Sequence, residues 1–180
     1  MLLASGFDRW GLMSSLKSLN VLLADDNQNM RAIAAAVLHS ADIRNVHEAA
    51  EGATALSLLR RHPIDLAIVD FNMFPLDGVE FTRLVRTGPD SPNIYLPIIM
   101  MTGHSERSRV YEARDAGVNE FVVKPITAKA VLDRINAVIL RPRAFIRCDS
   151  YVGPCRRRRD QPEYEGPFRR STDAGRSNAA

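Results

Sequence analysis

The sequence predicts an α/β fold in which one doubly wound domain is built on a five-stranded parallel sheet. Two observations predict it. Between residues 20 and 140, short apolar runs alternate five times with longer stretches of helical period. Runs such as Val21-Leu22-Leu23-Ala24 and Leu66-Ala67-Ile68-Val69 are apolar instead of alternating with polar residues, which suggests parallel strands covered on both faces. Right-handed crossovers then lead to a sandwich with helices on both sides.

The elements follow in order. Val21-Leu22-Leu23-Ala24 is the first strand and ends in Asp25-Asp26. A helix is predicted over residues 28–40, where Met30, Ile33, Ala34, Val37 and Leu38 recur at spacings of three and four. A short strand over 43–47 precedes a helix carrying Ala53, Leu56, Leu58 and Leu59 on or near its inner face. The buried strand Ile64-Asp65-Leu66-Ala67-Ile68-Val69 stops at Asp70. The third helix covers 77–86 with Asp77 as N-cap, and residues 88–92 have loop chemistry. A fourth strand over 96–101 ends at Thr102, and a helix over 106–116 stops at Gly117. The fifth strand, 120–123, runs into Lys124-Pro125 and the last helix, 127–139.

With 46% hydrophobic and 25% charged residues, the composition is that of an ordinary globular domain. No apolar run approaches the roughly 20 residues that span a bilayer. The apolar start Met1-Leu2-Leu3-Ala4 is broken by Asp8 and Arg9 too early for a signal-peptide core. Cys148 and Cys155, without a CxxC, fit a reduced cytoplasmic chain. The absence of GxGxxG and P-loop patterns disfavours a nucleotide-binding version of this architecture. The net charge of +3 is unevenly divided: residues 1–140 carry 14 Lys+Arg against 16 acids, and residues 141–180 carry 10 Arg against 5 acids. The basic character therefore belongs to the tail.

Asp25-Asp26, Asp70, Thr102 and Lys124 fall at the C-terminal ends of the first, third, fourth and fifth strands. In an open doubly wound sheet these ends line one crevice, where ligands bind. Crowded carboxylates repel, so one takes up a proton unless a cation is present. Oxygen-only ligands at an open site suit Mg²⁺, which holds a phosphate at the same time. A lysine adds positive charge, a threonine hydroxyl donates a hydrogen bond, and a carboxylate nucleophile completes the parts for an aspartyl phosphate.

The strings Leu23-Ala24-Asp25-Asp26, Asp70-Phe71-Asn72-Met73, Asp77-Gly78, Met101-Thr102-Gly103 and Phe121-Val122-Val123-Lys124-Pro125 resemble the signature regions of two-component response-regulator receiver domains. Met30-Arg31 also looks like the chemotaxis-type single-domain regulator. The resemblance covers residues 20–140 and implies a flavodoxin-like receiver fold. By it, Asp70 is the phosphoacceptor, Asp26 binds Mg²⁺ directly, Asp25 through water, and Asn72 through its backbone carbonyl. Lys124 bridges Asp70 and the phosphoryl group, and Thr102 and Phe121 hold the two switch positions. The chain departs from the family at Phe74-Pro75, where Pro usually follows the Met directly. The spacing from Asp70 to Asp77-Gly78 is unchanged, so an altered loop around an intact site is expected, with Phe74 bearing on partner docking. His39, His47 and His62 have no matching partners in the sequence, whereas His104 sits two residues beyond Thr102, at the rim. Met73, Met100 and Met101 read as core.

The expected organisation is an N-terminal extension over 1–17, a receiver over 18–140 and a disordered basic tail over 141–180. The extension contains Phe7, Trp10, Leu12 and Met13, and reads either as a short amphipathic piece or as a leader before a start at Met13. The tail holds an internal echo: Tyr151-x-Gly153-Pro154-x-Arg156-Arg157 recurs as Tyr164-x-Gly166-Pro167-x-Arg169-Arg170. That pattern favours protein docking over nucleic acid, the alternative in which the arginines bind phosphates and stack on bases. A further alternative is that the arginines fold back on the receiver's own acidic rim. The expected function is a phosphorelay regulator, phosphorylated by a sensor histidine kinase or phosphotransfer protein, that acts by binding a further protein. The enzyme alternative is a haloacid-dehalogenase-type phosphatase. It needs a second Asp two residues after the nucleophile, and Asn72 stands there.

Overall fold

The computed structural model describes residues 16–103 and 109–156. The chain runs β1 (Asn20–Ala24), α1 (Gln28–Ser40), β2 (Asn45–Ala49), α2 (Gly52–Arg61), β3 (Leu66–Asp70), α3 (Gly78–Thr87), β4 (Ile98–Thr102), α4 (Val110–Ala116), β5 (Glu120–Val123) and α5 (Ala128–Leu140). Two further strands follow, β6 (Phe145–Cys148) and β7 (Tyr151–Pro154). The five-stranded sheet has the order β2-β1-β3-β4-β5 with every pairing parallel. The sequence predicts this class, and the central strands β3 and β4 are buried at every position.

The sheet separates two apolar clusters. On one side Leu23, Leu38, Ile68, Ile99, Met101 and Ile135 pack with the α1 and α5 helices. On the other Leu22, Val69, Phe81, Val85, Ile98 and Met100 pack with α2, α3 and α4. Leu16, at the end of the N-terminal extension, is buried in the first cluster, while residues 1–15 lie outside the described part. His47 and His62 meet, with ring centroids 4.4 Å apart.

Chain order places a switch point at β1, which has β2 on one side and β3 on the other, so the crevice opens beyond the ends of β1 and β3. The start of α3 is built against that crevice. Asp77 caps the helix by accepting from the Val79 and Glu80 amides, and Glu80 returns a bond to the Asp77 amide, a full capping box. Gly78 is required there, because a Cβ at that position would lie 2.3 Å from the Asp70 carbonyl oxygen.

The region after α5 corrects the expectation of a tail disordered from residue 141. Residues 145–154 form an antiparallel hairpin, with Phe145 opposite Pro154 and Cys148 opposite Tyr151. It docks at the end of the sheet away from the crevice. There Gly117 ends α4 in the left-handed region at φ 105°, and a Cβ on it would lie 2.7 Å from the Val152 carbonyl oxygen. Phe145 packs against Tyr95 at 4.6 Å between centroids, and Arg86 lies 5.6 Å above the Phe145 ring. Two tail arginines are engaged by the receiver itself. Arg156 pairs with Asp115 at 3.3 Å, and Arg143 bonds the carbonyls of Asn119 and Cys155. Residues 157–180, with the second copy of the repeated motif, lie outside the described residues.

Candidate functional site

Strand ends supply the site. Asp25 follows β1 and is fully buried; one carboxylate oxygen accepts from the Asn27 amide at 2.8 Å, the other from the Lys124 ammonium at 3.1 Å. Arg31 donates to the Asp25 backbone carbonyl at 2.7 Å and pairs with Glu48 at 3.2 Å, which ties α1 to the end of β1. Asp26 is exposed and accepts from the Phe74 amide at 3.3 Å. Asp70 ends β3 with 6% of its surface exposed, and its Oδ1 lies 2.7 Å from Lys124 Nζ. One oxygen from each of Asp25, Asp26 and Asp70 lies within 4.8 Å of the others.

The electrostatics follow from this crowding. Burial, reinforced by the Asp25 charge and opposed by the bond and charge of Lys124, leaves the Asp70 carboxyl raised to about 6. Burial pulls Lys124 down, but its bonds to Asp70 and Asp25 outweigh this and hold it above the ordinary lysine value. One ammonium thus pairs with two of the three carboxylates, Asp25 and Asp70, leaving the cluster under-neutralised. An all-oxygen donor set with a net negative charge, open to solvent through Asp26, suits a hard divalent cation.

The other expected residues lie around this cleft. Asn72 and Met73 line it together with Asp26, Asn27, Met30, Asp70, Phe74, Asp77 and Lys124. Thr102 is buried at the end of β4, the strand paired with β3. Phe121 sits opposite Met100 on β5 and packs, half-buried, against the cluster under α2, α3 and α4. Phe74 is 83% exposed, and the Phe74–Pro75 peptide is cis, as is Lys124–Pro125. His104 falls outside the described residues. Sequence reasoning missed Arg109, which lies 4.6 Å above the Phe71 ring and pairs with Asp77 at 3.0 Å. It braces the two helices that follow β3 and β4. A lone arginine at a helix start gives no sequence signal for such a role.

A family model described as the response regulator receiver domain matches residues 21–136. The chain belongs to the response regulator receiver family. Chemotaxis protein CheY of Pseudomonas aeruginosa is 35% identical to this receiver over 123 residues, 68% of this chain and 98% of that protein. Chemotaxis protein CheY-3 of Vibrio cholerae is 32% identical over 125 residues, 69% and 95% of the two chains. Among solved structures, Vibrio cholerae CheY4 covers 67% of this receiver chain at 27% identity and TM-score 0.58, over 98% of its own length. The receiver domain of sensor histidine kinase PA1611 from Pseudomonas aeruginosa is 28% identical with TM-score 0.57, over 66% of this chain and 94% of its own. That structure has a magnesium ion coordinated in its active-site cleft. The receiver is thus a two-component signalling module, and no described helix is long and apolar enough to cross a membrane.

Proposed function

We propose that this receiver is switched by phosphorylation of Asp70 in an Mg²⁺-dependent reaction. The observation that carries the reading is the cluster of Asp25, Asp26 and Asp70 with Lys124 on Asp70. Asp25, Asp26, Asp70 and the Asn72 backbone carbonyl would hold Mg²⁺, whose charge, when bound, offsets that of the incoming phosphoryl oxygens. The donor is a phosphohistidine of a sensor kinase or phosphotransfer protein. An Asp70 carboxylate oxygen attacks phosphorus, the N–P bond breaks as the O–P bond forms, and the imidazole keeps the electron pair and takes a proton. Lys124 stays on the phosphoryl group, and the Thr102 hydroxyl donates to one of its oxygens.

The switch follows from charge. The phosphoryl group adds roughly −1.5 to −2 charges at neutral pH. Drawing Thr102 toward it frees space into which Phe121 turns, and binding of a partner protein selects that form. The receiver catalyses nothing beyond its own phosphoryl transfer and hydrolysis, and works in the cytoplasm, where phosphorylated donors and Mg²⁺ are available. Incubation with acetyl phosphate and Mg²⁺, followed by intact-mass measurement, tests the reading. One phosphoryl mass is expected, absent with a chelator and absent in Asp70→Asn; labelling that survives the substitution overturns it.

A further inference from the structure

The repeated motif at the C-terminal end acquires a physical meaning from its first copy. In Tyr151-Val152-Gly153-Pro154-Cys155-Arg156, the repeated positions carry the docking contacts. The Tyr151 hydroxyl donates to the Pro154 carbonyl at 2.7 Å, and the Arg156 guanidinium lies 4.0 Å above the Tyr151 ring. Arg156 also reaches Asp115 at 3.3 Å. Gly153 and Pro154 are buried, and a Cβ on Gly153 would lie 2.8 Å from the Gly117 Cα, so only glycine permits this approach. Val152 and Cys155, the unrepeated positions, are half-buried like Tyr151 and Arg156, and their contacts to Gly117, Ala144 and Arg143 are made by backbone atoms, which any residue supplies.

Thirteen residues on, the same Tyr, Gly, Pro and Arg recur at Tyr164, Gly166, Pro167 and Arg169. We propose that the cradle formed by Gly117, Asp115 and β6 is a binding site for a Tyr-x-Gly-Pro-x-Arg segment, with residues 164–169 of the same chain as its second, competing ligand. The residues that differ are compatible with the exchange. Val152 pairs with Arg147 in the hairpin, so Glu165 in that register would face Arg147 across the strands, a favourable opposite-charge pair. Phe168 would replace the half-buried Cys155. The first copy has the advantage of the two-residue turn Asp149-Ser150, whereas the second must close a loop over residues 149–163, which costs more chain entropy. The second copy therefore occupies the cradle when the first is released. This exchange does not depend on the phosphoacceptor reading, because it concerns the opposite end of the sheet.

The test uses the full chain, ¹⁵N-labelled and dilute, and follows the Gly117 amide and the Arg86 Nε–H signal, with Val69 and Ile99 amides reporting an intact sheet. Wild type and Tyr164→Ala should give the same docked signals. Tyr151→Ala should keep Gly117 in a docked, slightly displaced position independent of protein concentration, and Tyr151→Ala/Tyr164→Ala should lose it. Excess synthetic peptide of residues 162–171 should restore the docked signals of the double variant, and the same peptide with Gly166→Ala should not. The proposal is overturned if Tyr151→Ala alone matches the double variant, if recovery depends on concentration, or if the peptide restores nothing.

Discussion

The two ends of the sheet solve the problem of buried charge in opposite ways. At the C-terminal end of the strands, buried Asp25 and Asp70 face exposed Asp26 with one lysine between them, so repulsion is left standing. At the other end, Arg86 is 2% exposed and its fork is matched by oxygens: Gly117 takes two bonds at 3.0 and 3.1 Å, Ile94 one at 2.8 Å and the Asn119 amide one at 3.0 Å. Burial pulls Arg86 down to about 10, which leaves it ionised at neutral pH. Its partners are dipoles, and the hairpin covers it with Phe145. The satisfied end is structural. The under-neutralised end carries a repulsion that a bound cation would relieve.

The largest expected effect sharpens that contrast. Arg86→Ala strands the Gly117 and Ile94 carbonyls and removes the support beneath Phe145, so it should cost on the order of 3–4 kcal/mol. Urea unfolding should show it as a lower midpoint, and Arg86→Lys, which lacks the planar fork, should recover only part of the loss.

At the opposite end the sign reverses. Folded Asp70 titrates at about 6 against an ordinary 3.8, so the folded state holds this proton more tightly than the unfolded chain. The linked stability is full below about pH 4 and is lost as pH rises through about 6. In chelator at pH 7, Asp70→Asn should therefore stabilise by about 3 kcal/mol, with the gain vanishing below about pH 4. An Asn variant no more stable than wild type at pH 7 breaks the comparison.

How much of this was legible in the sequence depends on locality. The βα alternation was legible because strands such as Leu66-Ala67-Ile68-Val69 are apolar runs ended by a polar residue. The second strand was set two residues early, 43–47 against Asn45–Ala49, because this edge strand, Asn45-Val46-His47-Glu48-Ala49, has no apolar run to mark it. The convergence of Asp25, Asp26, Asp70 and Lys124 was legible because family motifs and strand ends coincide. Arg86 was not, since an arginine on an amphipathic helix ordinarily reads as solvated. The hairpin was missed for a related reason. Its two four-residue strands are masked by the Arg- and Pro-rich composition of residues 141–180 as a whole, and they are held by the remote Gly117, Tyr95 and Asp115.

Smaller effects separate the members of the acidic end. Asp26→Ala should weaken Mg²⁺ binding at least tenfold by calorimetry, because a dication at an oxygen-only site loses one of its few charged ligands. In wild type the affinity should also fall as pH drops through about 6, where a proton competes for Asp70. Thr102→Ala should still accept the phosphoryl group, yet beryllofluoride should no longer shift the Phe121 ring resonances. Equal shifts in variant and wild type would remove Thr102 from the switch.

The most direct measurement locates the acyl phosphate itself. Hydride reduction of the phosphorylated full chain converts an aspartyl phosphate to homoserine, which tandem mass spectrometry assigns to a residue. Homoserine at position 70, formed with Mg²⁺ and absent with a chelator, is the predicted result. Homoserine at Asp25, Asp26 or any other aspartate, with position 70 unchanged, contradicts the account.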